Sequence, residues 1–569
     1  MYASVYENWL KNTLHNKELH DELLSVNGNS EQIADRFYKE LDFGTAGLRG
    51  VLGAGTNRMN IYTVGRATEA LAKYVLSVSQ KPSVAIAYDS RINSTLFAET
   101  AAAILSANGV KVYIYKELMP TPMLSFAVRE LKCDAGIVIT ASHNPAQYNG
   151  YKVYGSDGCQ LGPDAAKNIM DMMQSIDCFN DVKFADFNAE LEAGKIEYIE
   201  DAVIESYLAA VKKQSVNADS LDMSDFSVIY TPIHGTGNKP VRAILDRIGV
   251  KNVIIVKEQE LPDGNFPTAP YPNPEIRQPF ELALDLAKSN NADILLATDP
   301  DADRVGIAVK NGDDFTLMTG NDVGALLLNY ILECRTANGT LPNNPVAVKT
   351  IVTTELCQKI ADAYGCELIN VLTGFKYIGE QIAILEEKGE EDRYVLGFEE
   401  SYGYLSGGYV RDKDAVVASM LICEMAAYYK TKGLTLVDKL NELFEKYGYY
   451  INRQRSFAFE GQSGMAKMGE IMGKLRTDAP TTFAGSKVAF VEDYLASKRI
   501  NKVTGKESEI TLPKSNVVVF GLQNNCKVIF RPSGTEPKIK VYIGAVDTSL
   551  SAAERSIELI AEDAEKLMK

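Results

Sequence analysis

A chain of 569 residues is too long for one hydrophobic core and predicts roughly three to five domains. Its 46% hydrophobic and 24% charged residues match an ordinary folded protein and exclude a large disordered portion. With 75 acidic against 59 basic residues the net charge is −16, which disfavours nucleic acid or an anionic membrane as partner and requires local cations for any anionic substrate.

Eight cysteines (133, 159, 178, 334, 357, 366, 423 and 526) show no CxxC or regular spacing, which fits a reducing cytoplasm. The opening MYASVYENWLKNTLHNKEL is amphipathic and carries acids, unlike a signal peptide. The longest apolar-rich stretch, 415–429, contains Glu424 and is too short to span a bilayer, so a soluble cytoplasmic protein with no membrane partner is expected.

In chain order, residues 1–40 predict helices and 42–50 (DFGTAGLRG) a glycine-rich loop from which Arg49 projects, able to take a phosphate or carboxylate bidentately. A buried strand at 83–89, a helix at 95–108 stopped by Gly109, a strand at 110–115, a Pro-Thr-Pro turn and a further helix lead to the strand 135–140. This alternation predicts a parallel, doubly wound sheet. The strand stops at Ala141-Ser142-His143-Asn144-Pro145, placing Ser142 on an exposed loop with His143 beside it and Lys152 ten residues on. Such a serine could carry and give up a phosphoryl group; a plain hydroxyl turn capped by Asn144-Pro145 would use the same residues.

The pattern restarts at 226–230, runs through a loop at 231–237, a helix through Ile248, a strand at 253–256 and a proline-rich loop at 262–274, and reaches a strand ending at Thr298. Then follows Asp299-Pro300-Asp301-Ala302-Asp303-Arg304. In an extended segment these alternating carboxylates point the same way, and three converging anions call for a divalent cation, with hard oxygen ligands suiting Mg²⁺. The glycine and distal glutamate of an EF-hand are missing. Of four histidines only His15 and His20, on the N-terminal helix, lie at ligand spacing; His234 reads as a hydrogen-bonded loop residue.

A third restart, from about Met318, predicts a helix at 320–333, strand 346–351, helix 354–364, the segment 371–376 and a strand 393–397. In the loop 398–403 that follows, Glu399 and Ser401 could hold the hydroxyls of a polyol, with Arg411, Lys413 and Asp414 adding charge. Three α/β units of similar size suggest internal repetition. The tail from Tyr447 reads as a separate α+β domain with strands at 517–521 and 528–530 and the loop 531–538 (RPSGTEPK), which has the fixed cation, hydroxyls and glycine of a phosphate-binding nest. The expected domains are 1–205, 206–317, 318–446 and 447–569.

Taken together, TASHNPxxYNGYK, DPDADR, GFEES and RPSGTEP in this order strongly resemble the α-D-phosphohexomutase superfamily, and GTAGLRG looks like its phosphoglucomutase branch. The resemblance implies three similar α/β domains plus a C-terminal α+β domain around a central cleft. It implies that Ser142 is a phosphoserine at the metal site, that Asp299, Asp301 and Asp303 bind Mg²⁺, and that Glu399 and Ser401 hold sugar hydroxyls near Gly374 and Lys376. Arg531, Ser533, Gly534 and Thr535 would grip the distal phosphate. Arg49, His143, Lys152, Arg304 and Lys413 match basic positions around the transferring group, and the general acid and base fall among Lys152, Lys413 and His143. The implied reaction interconverts glucose 1-phosphate and glucose 6-phosphate through a sugar bisphosphate, with glucose 1,6-bisphosphate as activator. Mannose and pentose phosphates are alternative substrates, and Tyr402-Gly403-Tyr404 stands where many mannose-accepting relatives have Gly-His, a departure that bears on sugar specificity rather than reaction type. A phosphosugar phosphatase and a non-catalytic sugar-phosphate binder are the rival readings.

Overall fold

Residues 2–37 fold as three short helices, Tyr2–Asn12, Lys17–Ser25 and Ser30–Phe37; Asn16 and Asn29 start the second and third by accepting from the N–H groups of Leu19 and Gln32. Their apolar sides close on Trp9, Leu23 and Phe37, with Trp9 packed edge-on against Phe37 and Tyr62. The computed structural model describes residues 2–41, 43–44, 47–459, 462–533 and 538–568.

The first sheet contains β1 (Gly47–Val51), β2 (Ser83–Tyr88), β3 (Lys111–Ile114), β4 (Ala135–Ile139), β5 (Tyr148–Gly155) and β6 (Ile196–Tyr198), in the order β1-β5-β4-β2-β3-β6. β4, β2, β3 and β6 run parallel, as the alternating pattern predicts. β5 returns antiparallel on β4, and β1 is antiparallel on β5, so the sheet is mixed rather than purely parallel. Consequently Arg49 sits on a strand, not in the expected loop: it pairs with Gly150. Glycine is required at 150, because a β-carbon there would lie 2.4 Å from the Thr140 carbonyl oxygen. The helices Ile61–Val78 and Ser94–Ala107 cover this sheet with small and branched side chains, and Val64, Ala67, Leu71, Phe97 and Ala101 are fully buried with Val84 and Ile86 of β2.

The second repeat reuses the plan. β7 (Ser227–Thr231), β8 (Asn252–Ile255) and β9 (Ile294–Thr298) are parallel, while β10 (Val305–Asn311) and β11 (Asp314–Met318) return antiparallel, giving β11-β10-β9-β7-β8. The serine loop and the aspartate loop thus occupy matching places: each follows a parallel strand and precedes an antiparallel one. The third repeat has β12 (Val346–Thr350) and β13 (Glu367–Val371) paired in parallel, then β14 (Tyr394–Glu399), residues 400–402 and β15 (Gly403–Leu405) in the same sequential position. Phe398 and Glu399 therefore belong to a strand, two residues beyond the strand end read from sequence. Arg411 and Asp414, expected as loop charges, are buried, as is most of the helix Ala415–Thr431 that follows them.

The tail builds an eight-stranded sheet from β16 (Tyr449–Ala458), β17 (Thr482–Phe483), β18 (Ser486–Asp493), β19 (Lys498–Asn501), β20 (Glu507–Glu509), β21 (Val518–Leu522), β22 (Lys527–Pro532) and β23 (Lys538–Asp547). Its main path is antiparallel throughout, and the helices Gln462–Thr477 and Leu550–Lys566 cover it through Met472, Leu475, Ile557 and Ile560. The chain forms two units: Met1–Met318 with Ile378–Tyr394 and Tyr402–Tyr428, and Thr319–Tyr377 with Val395–Ser401 and Tyr429–Lys569. All eight cysteines are free thiols, and among the described residues no helix is long and apolar enough to cross a membrane.

Candidate active site

In the first unit, β4 ends in an all-apolar buried run, and Thr140 Oγ1 then accepts from the Ser142 N–H at 2.8 Å, turning the chain sharply. Ser142 has φ 51°, a left-handed conformation that a residue with a β-carbon holds only when its surroundings impose it. Arg91 imposes it. Its guanidinium donates to the carbonyls of Pro145 (2.9 Å), Tyr148 (3.0 Å), Ser142 (2.5 Å) and Asn144, so one rigid fork gathers the whole loop. Asp89 orients Arg91 from behind, with Oδ2 3.4 Å from Nε and Oδ1 accepting from the Arg91 N–H and Ser94 Oγ.

The aspartate loop is a tight turn. The Ala302 N–H donates to the Asp299 carbonyl at 2.9 Å, and Ala302 has φ 48°. The convergence predicted from an extended segment occurs, but the turn produces it: one oxygen from each of Asp299, Asp301 and Asp303 lies within 4.8 Å of the others. The first repeat supports the loop at the start of the helix Thr121–Glu130, where Thr121 donates through its N–H to the Asp301 carbonyl (2.9 Å) and through Oγ1 to Asp301 Oδ2 (2.8 Å). Asp299 Oδ1 accepts from the N–H groups of Asp303 and Arg304.

Ser142 joins the two loops: its hydroxyl donates to Asp299 Oδ2 at 2.7 Å, with His143 Nδ1 3.4 Å from the same Oγ. Lys152 Nζ, carried by β5, lies 3.0 Å from Asp301 Oδ2 and 3.8 Å from Asp303 Oδ2. Lys413 Nζ lies 3.1 Å from Asp303 Oδ2 and 3.0 Å from Asp412 Oδ1, and Asp412 is oriented by the Tyr154 hydroxyl at 2.7 Å. Arg304 Nε is 3.7 Å from Asp303 Oδ1, and its NH1 pairs with Glu275 at 2.5 Å.

The electrostatics call for a cation. Asp299, Asp301 and Asp303 are 0%, 0% and 2% exposed. Burial, reinforced by Asp301 and Asp303, pushes the Asp299 carboxyl well above its usual range. Burial also opposes ionisation of Asp301, but Lys152 and Thr121 outweigh it and hold that carboxyl low. Among the described residues, Asp301 Oδ1 and Asp303 Oδ1 are buried without a hydrogen-bond donor, a costly arrangement for carboxylate oxygens that a divalent ion relieves. The residues therefore fit a hard divalent metal, held by the three aspartates beside the Ser142 oxygen. His143 is pushed well below the usual imidazole value, first by burial and then by Arg304 and Arg49, so it is neutral at pH 7.

In the second unit, Glu399 is buried and its Oε1 accepts from the Gly374 N–H at 2.9 Å, where Gly374 takes φ 124°. Arg531 lies on β22 opposite Lys540 of β23, next to Ser533 at the start of the tail loop.

Family models agree with this architecture. Phosphoglucomutase/phosphomannomutase alpha/beta/alpha domains I, II and III match residues 40–178, 205–312 and 319–447. A phosphoglucomutase of Staphylococcus saprophyticus is 38% identical over 535 residues, covering 94% of this chain and 95% of its own. The chain belongs to the phosphoglucomutase/phosphomannomutase family. A Staphylococcus aureus phosphoglucomutase is likewise 38% identical, over 89% of this chain and 90% of its own. Two solved structures share the fold of the mutase: the Paramecium phosphoprotein pp63/parafusin (TM-score 0.69, 18% identity, 93% and 95% covered) and a family protein of Burkholderia thailandensis (0.66, 19%, 93% and 96%).

Of the residues singled out from sequence, the first unit of the mutase brings together Ser142, His143, Lys152, the three aspartates, Arg304 and Lys413. Arg49 stands at the edge of this group, its NH1 donating to Asn144 Oδ1 at 3.3 Å. Ser142 departs from expectation in being buried, 3% exposed, because its side chain turns inward to Asp299. In the second unit Glu399 and Gly374 meet, Ser401 is half-buried, and Lys376 places its ammonium 5.1 Å from the Tyr377 ring. Gly534 and Thr535 lie outside the described residues. Sequence reading missed Arg91, Thr121, Asp412 and Tyr154. The signal for Arg91 was present: Asp89-Ser90-Arg91 follows the C-terminal end of a parallel strand, where α/β folds gather ligand-binding groups.

Proposed function

We propose that the chain interconverts glucose 1-phosphate and glucose 6-phosphate by way of a phosphoserine at residue 142 and a glucose bisphosphate. The observation that carries this reading is the Ser142 hydroxyl 2.7 Å from a buried aspartate triplet, faced by two lysines, in a chain 38% identical to phosphoglucomutases over nearly its full length. Charge supports it: a divalent ion among the three aspartates, with Lys152, Lys413 and Arg304 close by, offsets an added phosphoryl group of about −1.5 to −2.

In the transfer from enzyme to sugar, the P–Oγ bond of phosphoserine 142 breaks and a P–O bond forms to the free sugar hydroxyl. The hydroxyl proton goes to a base, and the Ser142 oxygen receives a proton. Neutral His143 and the lysines 152 and 413 are the candidates for these roles. Mg²⁺, held by Asp299, Asp301 and Asp303, would supply charge stabilisation to the transferring group. The resulting bisphosphate reverses its orientation and returns its other phosphoryl group to Ser142, which makes glucose 1,6-bisphosphate the activator. Arg531 and Ser533, with Gly534 and Thr535, hold the non-reacting phosphate; Glu399 and Ser401 hold sugar hydroxyls, with Gly374 and Lys376 beside them. Arg49 and Arg304 bind at the transferring phosphate. The free thiols suit a cytoplasmic setting.

Coupled assays on glucose, mannose and pentose 1-phosphates test this function. The expected result is the highest kcat/KM for glucose 1-phosphate, stimulation by glucose 1,6-bisphosphate, and no accumulation of inorganic phosphate. Phosphate release matching sugar-phosphate consumption would make the chain a phosphatase, and preference for a pentose or mannose phosphate would overturn the substrate assignment.

A further inference from the structure

Glu400, between the two residues read as sugar contacts, makes a contact set that a carboxylate cannot fully satisfy. Thr350 Oγ1 and Thr353 Oγ1 stand 2.8 Å apart, and both approach the same Glu400 oxygen, Oε2, at 3.1 and 3.3 Å. Three oxygens form a triangle with three contacts of hydrogen-bond length, and two hydroxyls supply only two protons. A proton on Glu400 supplies the third.

The surroundings favour that proton. Although part of the residue reaches the surface, its carboxyl is desolvated, and burial together with the neighbouring Glu399 pushes it up to about 7. The groups that face it among the described residues come from three directions. They are Thr350 and Thr353 at the exit of β12, Glu399 on its own segment, and Lys540 and Tyr542 on β23; a backbone N–H, donation from Thr350 and the Lys540 charge favour the ionised form, and burial with Glu399 outweighs them. Tyr542 in turn hydrogen-bonds Arg531. Hydrogen bonds thus join the end of β12 to Glu400, and Glu400 and Arg531 both act on Tyr542 of β23, Glu400 through its charge.

We propose that Glu400 is protonated in the resting mutase and is a positioning residue that fixes Glu399 and Ser401 against the exit of β12 and in register with Arg531. The proposal rests on the reading of Glu399, Ser401 and Arg531 as substrate contacts. Ionisation would break one side of the triangle and place a charge beside Glu399, loosening the sugar loop. Because the folded-state value is raised, stability from the neutral form is complete below the ordinary carboxyl range and is lost as pH rises through about 7.

The test compares the wild-type protein with Glu400→Gln, which keeps a donor and an acceptor without titrating, and with Glu400→Ala. KM and kcat for glucose 1-phosphate and the thermal midpoint are measured from about pH 5.5 to 9. In the wild type KM should rise severalfold above pH 7, beyond the part due to the substrate phosphate, which all proteins share. The Gln variant should lack that extra rise, and the Ala variant should show a KM about tenfold high at every pH, with kcat less affected. The thermal midpoint of the Gln variant should gain on the wild type as pH increases. Superimposable midpoint profiles for wild type and Gln variant would overturn the protonated state, and differing midpoints with identical KM profiles would overturn the positioning role. Absence of turnover on any sugar phosphate would instead remove the mutase reading and with it the positioning role, while the midpoints would still decide whether Glu400 carries the proton.

Discussion

Ser142→Ala should lose turnover by about 10⁴-fold or more while still binding sugar phosphate, the expected result when the group that forms the covalent intermediate is removed from an intact site. The buried environment makes the substitution mild for the fold. Ser142 contributes one hydroxyl donor to Asp299, whose Oδ1 keeps the N–H groups of Asp303 and Arg304, and the loop stays gathered by Arg91. Alanine at φ 51° adds no conformational demand that serine did not already meet. Calorimetric titration with glucose 6-phosphate together with steady-state kinetics separates the two effects. Turnover within tenfold of wild type would mean that the phosphoryl group travels without residue 142.

Asp301→Asn should reduce both bound metal and activity, the latter by about 100-fold or more. Asp301 meets Lys152 through Oδ2, and Oδ1 is buried without a donor among the described residues, so the substitution removes the charge available to a metal at Oδ1. Asparagine retains the shape of the side chain and can still accept from Thr121 Oγ1, so the loop should keep its turn. Elemental analysis after dialysis against Mg²⁺ or Mn²⁺ reads the metal independently of catalysis. Full metal content with full activity would reduce the triplet to a buried polar cluster stabilised by Lys152 and Lys413.

Much of this site was legible because its chemistry is concentrated in short segments. Three aspartates in five residues, and a serine between a buried strand and Asn144-Pro145, stand out without knowledge of the fold. The strand-to-loop transitions were also visible, since the buried strands Ala135–Ile139 and Ile294–Thr298 read as apolar runs ended by polar residues. What sequence concealed was the return of the chain. β5 and β10 are antiparallel partners of β4 and β9, and the sequence reading assigned no strand to residues 148–155. That return carries Lys152 to the aspartates, a placement that distance along the chain could not reveal. Burial was misjudged for Ser142: its loop read as exposed, yet the residue is enclosed because its hydroxyl turns inward to Asp299. Arg91 had a place-based signal at the end of a parallel strand, but its four backbone-carbonyl partners leave no mark on residue identity and so its role was not legible.

Every step proposed for the reaction requires Ser142 to carry the phosphoryl group, which peptide mass spectrometry of protein incubated with glucose 1,6-bisphosphate reads without relying on turnover. A phosphorylated peptide containing residues 141–145, with the phosphate assigned to Ser142 and discharged on addition of glucose 6-phosphate, is the predicted result. An unmodified Ser142 in protein that is turning over substrate would contradict it.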